Sequence, residues 1–214
     1  MSTITELDVG TLNLHDAYRL LIGAIVPRPI AWVSTVSPEG RPNLAPFSFF
    51  NGICSNPPSL LFCPVNHPDG REKDTLRNIR DTKHFVVNIA NEDLATQMSQ
   101  TSAEYPPEVN EFKVVGMTAA ACKVVSAPRV KESPLSFECE LIEIVKVGPG
   151  GAGSGHVVIG KIVYAHFAPG VYDNGRIQLD KLSPIARLAG MSYCPVREVF
   201  EIPRPQHPRP TANN

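Results

Sequence analysis

Lys73, Asp74 and Thr75 set a cation, a carboxylate and a hydroxyl in a row, just ahead of Leu76 and Ile79. Leu76 and Ile79 share a helical face at i, i+3, so the trio opens a short helix. A helix start carries unpaired N–H groups and the positive end of the peptide dipoles, and both favour an anion. With Lys73 for charge and Thr75 for a hydroxyl, the chemistry indicated is phosphate binding. Asp74 would repel a phosphate that it faced, so it is assigned to capping the helix or orienting Lys73. Arg71 and Asn66, in the preceding loop, could add donors. The plainer alternative is an N-capped surface helix.

A second group, Ser48-Phe49-Phe50-Asn51, inserts two polar side chains into an aromatic, β-prone stretch. A core strand would explain the phenylalanines. A planar ring with carbonyls and ring nitrogens would explain the mixture, since it needs apolar surface plus a few fixed donors. A third group, Val26-Pro27-Arg28-Pro29-Ile30, confines Arg28 to extended geometry between two prolines. It reads either as a rigid lead into a strand or as a preorganised rim, with Arg28 as donor or charge partner and Pro29 and Ile30 beside it. The three groups together suit a flat cofactor with a phosphate tail, and flavin mononucleotide (FMN) is the candidate.

Other motifs point away from chemistry. The run from Gly148 to Gly155 lacks the Lys-Ser/Thr ending of a P-loop and precedes a strand rather than a helix, so it reads as a mobile hairpin connection. The histidines are scattered with no HExxH spacing, and no GxSxG elbow is present. His67, beside the phosphate loop, is the exception. Cys54, Cys63, Cys122, Cys139 and Cys194 are odd in number and form no CxxC pair, which argues against zinc and for reduced thiols. No metal is expected. Hydride transfer through a bound flavin needs position and electrostatics more than a catalytic triad, so no residue is assigned as catalytic.

The elements that must position these groups follow from periodicity and turn signals. Residues 13–22 read as a helix capped by Asn13 or Asp16. Residues 30–36 read as a strand, Ser37-Pro38-Glu39-Gly40 as a type I turn, and residues 43–53 as one return strand. Residues 60–63 and 85–89 read as buried strands, the first of them central. Residues 91–100 read as a helix capped by Asn91, and residues 102–112 as an ordered surface excursion. Residues 136–147 and 156–168 form a hairpin across the glycine run, and Asp173-Asn174-Gly175 is a turn. Ser183-Pro184 reads as the start of a short helix closed by Gly190. Six or seven mostly antiparallel strands without long alternating helices favour a closed barrel over a doubly wound sheet.

The chain has 214 residues, 43% hydrophobic and 19% charged, with a net charge of −1, which makes no electrostatic case for nucleic acid or a membrane surface. No apolar run approaches the roughly 20 residues of a membrane span, and no signal peptide is visible, so a cytoplasmic location is expected. The 21 prolines are about twice the usual share of roughly 5% and suit short β connections. One domain over residues 1–200 and a proline-rich tail over 201–214 are expected.

The run from Pro27 to Phe62, then REKDTLRNI (71–79), FVVNI (85–89) and ARLAGMSY (186–193), resembles the flavin reductase-like family. That family has the FMN-binding split-barrel fold and includes flavoredoxin and the reductase components of two-component monooxygenases. The resemblance covers roughly residues 15–195. It implies a mainly β, antiparallel Greek-key split β-barrel with a few short peripheral helices. It further implies a homodimer, FMN as cofactor and NADH or NADPH as cosubstrate. An oxygenase component or another electron acceptor would be the partner. Carried over by position, Ser48, Phe49, Phe50 and Asn51 match the strand that lines the flavin ring. Lys73, Asp74 and Thr75 match the helix start near the phosphate, and Arg28, Pro29 and Ile30 match the segment at the ring edge. Arg187, Gly190 and Tyr193 match a C-terminal motif whose role is left open, and Ala189 departs from the family's second glycine. Two alternatives remain: an FMN-bound electron-transfer protein of the flavoredoxin kind, and a non-catalytic module for a planar ligand such as flavin or haem.

Overall fold

Asn13 accepts a hydrogen bond from the Asp16 N–H (2.9 Å) and starts the first helix, α1 (Leu14–Ala24). This computed structural model describes residues 3–205, and the tail expected over 201–214 lies outside the described residues from 206 on. After α1 come five strands in close succession: β1 (Arg28–Pro29), β2 (Ala31–Val36), β3 (Pro42–Phe47), β4 (Phe50–Ser55) and β5 (Pro58–Phe62). Helix α2 (Asp74–Thr82) and strand β6 (His84–Ile89) follow, then α3 (Ala95–Gln100) and α4 (Glu111–Val114). The ribbon of β7 (Ala119–Ala120) and β8 (Arg129–Val130) precedes the long hairpin of β9 (Leu135–Val147) and β10 (Gly155–Phe167). The C-terminal part holds β11 (Tyr172–Asp173), β12 (Arg176–Ile177), α5 (Leu179–Leu182), β13 (Ile185–Arg187) and β14 (Tyr193–Pro195).

The main sheet is antiparallel and runs β3-β2-β6-β9-β10-β5-β4. Strands β3 and β4 lie at its opposite edges, yet only Ser48 and Phe49 separate them in the chain. Two residues span less than about 11 Å, whereas seven strands laid flat would span close to 30 Å at about 4.8 Å each. The sheet is therefore curled until its edges meet, and the seam is closed by the chain and not by a ladder. Phe47 on β3 and Phe62 on β5 confirm the closure, with ring centroids 5.1 Å apart. This is a split barrel, mainly β, with short helices outside it.

Alternation decides what lies inside. On β2, Ala31 and Val33 face the barrel interior with Phe62, Phe85, Val87, Cys139 and Val158, and α2 closes this core with Leu76 and Ile79. Trp32 faces the other way, into a second core with Leu44, Leu94, Met98, Phe112 and Ile185. Both faces of β2 are thus covered. Gly160 on β10 has no room for a side chain: a Cβ there would lie 2.3 Å from Phe85 Cζ and 2.8 Å from Cε1.

The structure departs from the sequence reading at three elements and adds detail at two more. The single strand expected over 43–53 is two strands on opposite sheet edges, broken at the bend of Ser48 and Phe49. The strand near residues 60–63 is next to an edge, between β10 and β4. The helix expected to start at Ser183 and close at Gly190 is absent. Ser183 instead ends α5 in the left-handed region (φ 42°), and Ile185 to Arg187 pair with β1 and β14. The segment 92–100 is a 3₁₀ turn followed by α3, with Asn91 as its cap. The glycine hairpin loop is pinned: the Gly150 N–H donates to Ser154 Oγ (2.9 Å), and Asn66 Nδ2 donates to the Gly150 and Gly151 carbonyls (3.3 Å each).

Glu138 is fully buried on β9. Burial alone would raise its pKa, but the N–H groups of Lys123, Val125 and Val124 and the His166 ring bring it down to about 2. Cys122, Glu138 and His166 converge within 4.8 Å, but both Glu138 oxygens are spent on these donors.

Two outcomes follow from this packing. Gly160→Ala should lower the unfolding free energy by about 1–3 kcal/mol through overpacking against Phe85, read by urea denaturation. The folded pKa of Glu138 lies below its unfolded value near 4.5, so its contribution is present above pH 4.5 and is lost as pH falls towards about 2. Glu138→Gln should flatten the stability–pH curve in that window.

Candidate functional site

The bend that closes the barrel also opens a groove beside it. Two adjoining clefts share Pro46 of β3 and Ser102 as walls. One, of about 90 Å³, lies at the start of α2 and is lined by Asn43, Phe47, His67, Lys73, Thr75 and Glu104 among others. The other, of about 210 Å³, lies at the bend and is lined by Tyr18, Arg28, Ile30, Ser48, Arg187, Gly190 and Tyr193 among others. A groove therefore runs from the α2 N-terminus, across Pro46, to the β13–β14 turn.

At the first end, Lys73 occupies the N-cap position and no side chain caps α2. The Leu76 N–H turns back to the Lys73 carbonyl (3.0 Å), so the N–H groups of Asp74 and Thr75 are the ones left open, and the dipole of nine helical residues points into the cleft. Asp74 does not cap the helix, as one sequence reading had it; it pairs with Arg77 one turn on. Asn43 Nδ2 donates to Thr75 Oγ1 (2.9 Å) and Asn78 Nδ2 donates to Thr35 Oγ1 (3.0 Å), which ties α2 to β3 and β2 and fixes its aim. The Lys73 side chain is 30% exposed. Burial lowers its pKa, and the charge of Glu104 offsets part of that. Arg71 and Asn66, the further donors considered for this site, are used elsewhere. Arg71 pairs with Asp69 (2.6 Å), and Asn66 holds the glycine loop.

At the second end, Arg28 is 4% exposed. Its guanidinium donates to the carbonyls of Ile22 (2.8 Å) and Ile25 at the end of α1, to the Leu188 carbonyl (3.1 Å) and to Ser48 Oγ (3.3 Å). It is a clamp that holds α1, the β13–β14 turn and the bend together, with few donors left for a ligand. Arg187 lies over the Tyr193 ring (4.5 Å to the centroid) and donates to the Tyr193 hydroxyl and the Gly190 carbonyl.

The predicted residues separate accordingly. Arg28, Ile30 and Ser48 line the bend cleft, and Lys73, Asp74 and Thr75 line the α2 cleft. Pro29 is exposed on β1, paired with Ala186. Phe49 lies 5.9 Å from the Arg28 guanidinium and faces a separate apolar cavity of about 410 Å³ with Leu14, Cys63 and Val65. Phe50 packs against the barrel core, and Asn51 is exposed on the edge strand β4, its Oδ1 accepting the Gly52 N–H (2.9 Å). Arg187, Gly190 and Tyr193, whose role was open, form a wall of the groove. Asn43, Ser102 and Glu104 were missed. Asn43, a polar residue inside an apolar strand, was the available signal; nothing local marked Ser102 or Glu104.

A curled antiparallel sheet with a helix start beside its open seam defines a split-barrel protein. The flavin reductase like domain model matches residues 23–179, and the chain belongs to that family. An Aquifex aeolicus protein is 42% identical over 191 residues, covering 89% of this chain and 92% of its own. The structure of nitrilotriacetate monooxygenase component B from Bacillus cereus superimposes with a TM-score of 0.90 at 34% identity, over 94% of this chain and 100% of that one. That of 2-nitrobenzoate 2-nitroreductase from Pseudomonas fluorescens does so with a TM-score of 0.84 at 30% identity, over 98% and 100%. Membership of this family supports a flavoprotein, oxidoreductase role.

Arg28→Ala should cost about 2–4 kcal/mol, because it strands part-buried carbonyl acceptors at the end of α1 and at Leu188, together with the Ser48 hydroxyl. Amide exchange should quicken at the end of α1 and in residues 188–192 before it does in the barrel strands.

Proposed function

We propose that this protein is an FMN-dependent NAD(P)H oxidoreductase whose cofactor lies in the groove between α2 and the bend. The observation that carries this reading is the continuity of the two clefts across Pro46 and Ser102. One end offers open helix N–H groups, Lys73 and Thr75, the donor set a phosphate dianion requires. The other end offers Ser48, Ile30, Tyr18 and the Tyr193 wall, which suit a flat ring edged with acceptors. When bound, FMN supplies the redox chemistry, taking a hydride from NADH or NADPH and passing electrons to an acceptor.

The protein's own groups bind and orient. Lys73 neutralises charge, and the Asn43–Thr75 bond holds the hydroxyl in place. The Arg28 clamp keeps the bend rigid, so the groove is preformed. Asp74, held by Arg77, is kept off the anion. An oxygenase component is the favoured acceptor class, supported by the monooxygenase component among the similar structures. A homodimer fits the exposed stripe of Leu14, Tyr18 and Leu21 on one face of α1, continued by Ile25 just past its end. A cytoplasmic location fits the five cysteines, none of which is in a disulfide.

Purified protein mixed with FMN and either NADH or NADPH should oxidise the nucleotide, followed by its absorbance. Yellow protein that neither nucleotide reduces would indicate the electron-transfer alternative. No flavin spectrum after FMN addition would end the flavin reading. Lys73→Ala should weaken FMN binding by about 1.5–3 kcal/mol, the worth of a charge-assisted contact, and leave riboflavin binding unchanged. Equal losses for both ligands would remove Lys73 from the phosphate.

A further inference from the structure

Glu104 leans into the α2 cleft from the surface loop between α3 and α4. Its Oε1 lies 2.8 Å from His67 Nδ1 and 3.7 Å from Lys73 Nζ, and Nζ lies 3.1 Å from Nδ1. The adjacent carboxylate assigns the imidazole proton to Nδ1, so that nitrogen has no lone pair for Lys73. Glu104 at 3.7 Å is too far to accept a hydrogen bond from the ammonium. Lys73 therefore has a charge neighbour but no hydrogen-bond acceptor, although its side chain is half-buried. The other carboxylates do not fill that need. Asp74 is engaged with Arg77. Burial raises the pKa of Glu111, whose carboxylate takes the Leu44 N–H (3.2 Å).

The loop is fastened at its ends and not at Glu104. Thr101 Oγ1 accepts the Trp32 Nε1–H (2.9 Å) and donates to the Met98 carbonyl (2.7 Å). At the far end Glu111 is buried and bonded to β3. Between these anchors the Glu104 side chain is 55% exposed and touches the cleft only through His67 and Lys73. Half-exposed ion pairs of this kind are weak and screened by salt. Glu104 can leave without loosening either anchor.

We propose that Glu104 is an internal counter-anion standing on the donors that a cofactor phosphate would use, and that FMN binds by displacing it. The inference rests on the FMN reading above. It adds His67 to the phosphate site as a second donor after Lys73. It also makes Glu104 the residue that sets retention: phosphate and carboxylate compete for the His67 N–H and for the charge of Lys73, so FMN exchanges instead of staying bound. A flavin without a phosphate leaves Glu104 where it is.

Glu104→Gln keeps the side chain's shape and removes its charge, at an exposed position that does not threaten folding. FMN and riboflavin affinities are measured side by side by quenching of flavin fluorescence, and FMN release by stopped flow. FMN should bind the variant about three- to tenfold more tightly, and leave it correspondingly more slowly, with riboflavin changed by less than about twofold. FMN that binds both proteins equally, or binds the variant more weakly, overturns the role of Glu104 and leaves the FMN reading intact. Equal tightening of FMN and riboflavin overturns it too, since Glu104 would then act on access and not on the phosphate. Absence of FMN binding to either protein removes the FMN reading, and the inference with it.

Discussion

Ser48 and Phe49 join the two edges of a seven-stranded sheet, and that short connection constrains everything near it. A ladder between β3 and β4 would have closed the barrel and left a smooth outer wall. The two-residue link instead brings the edges together at one end and leaves a seam. The seam then needs support, which comes from Arg28. A buried guanidinium is costly unless its donors are met, and here main-chain carbonyls from two other elements and the Ser48 hydroxyl meet them. The geometry of the groove is therefore a by-product of closing the barrel.

The opposite end of the groove is built by small buried amides. Asn43 and Asn78 bind hydroxyls of Thr75 and Thr35, each across two elements. Asn88 does the same for the sheet: its Nδ2 donates to the Trp32 carbonyl (2.9 Å), and its Oδ1 accepts from the Val130 N–H (2.9 Å) and Ser136 Oγ (2.8 Å). Trp32 in turn donates to Thr101, next to Ser102 on the groove wall. Fully satisfied buried networks of this kind hold one geometry and penalise alternatives. They align a helix start, a strand and a loop that are far apart in sequence.

Legibility in the sequence followed the range of the signal. The helix at Asp74–Thr82, the hairpin turn at Ser37–Gly40 and the β9–β10 hairpin rest on local periodicity and turn chemistry, and these were readable. The break at Ser48 was not, because an extended residue pair looks the same whether its strand continues or crosses to another edge. Ser183 misled for a related reason: Ser-Pro suits a helix start, but Ser183 at φ 42° is a helix end. The placement of Lys73 and Thr75 at the start of α2, on the wall of the groove, was legible because a helix start is local. Phe50 and Asn51 could not be placed, since the bend decides which side of β4 they occupy. Glu104 and Ser102 reach the groove through the long loop after α3, which no short-range pattern ties to α2.

Arginine content alone would point to the bend as the anion-binding end of the groove. Arg28 and Arg187 both line the bend cleft, whereas the α2 cleft is lined by Lys73 and by no arginine. Donor accounting reverses that choice. Arg28 spends its N–H groups on protein oxygens, and Arg187 donates to the Tyr193 hydroxyl and the Gly190 carbonyl while stacking on the ring. Their charge persists, but their directional capacity is used. At α2 the helix N–H groups and Lys73 have capacity left over, and partial burial strengthens whatever acceptor reaches them. On the proposed reading, an asymmetric ligand with one dianionic end and one flat end would be oriented by unspent donors at one end and by apolar and aromatic surface at the other. The arginines act as framework for the second end.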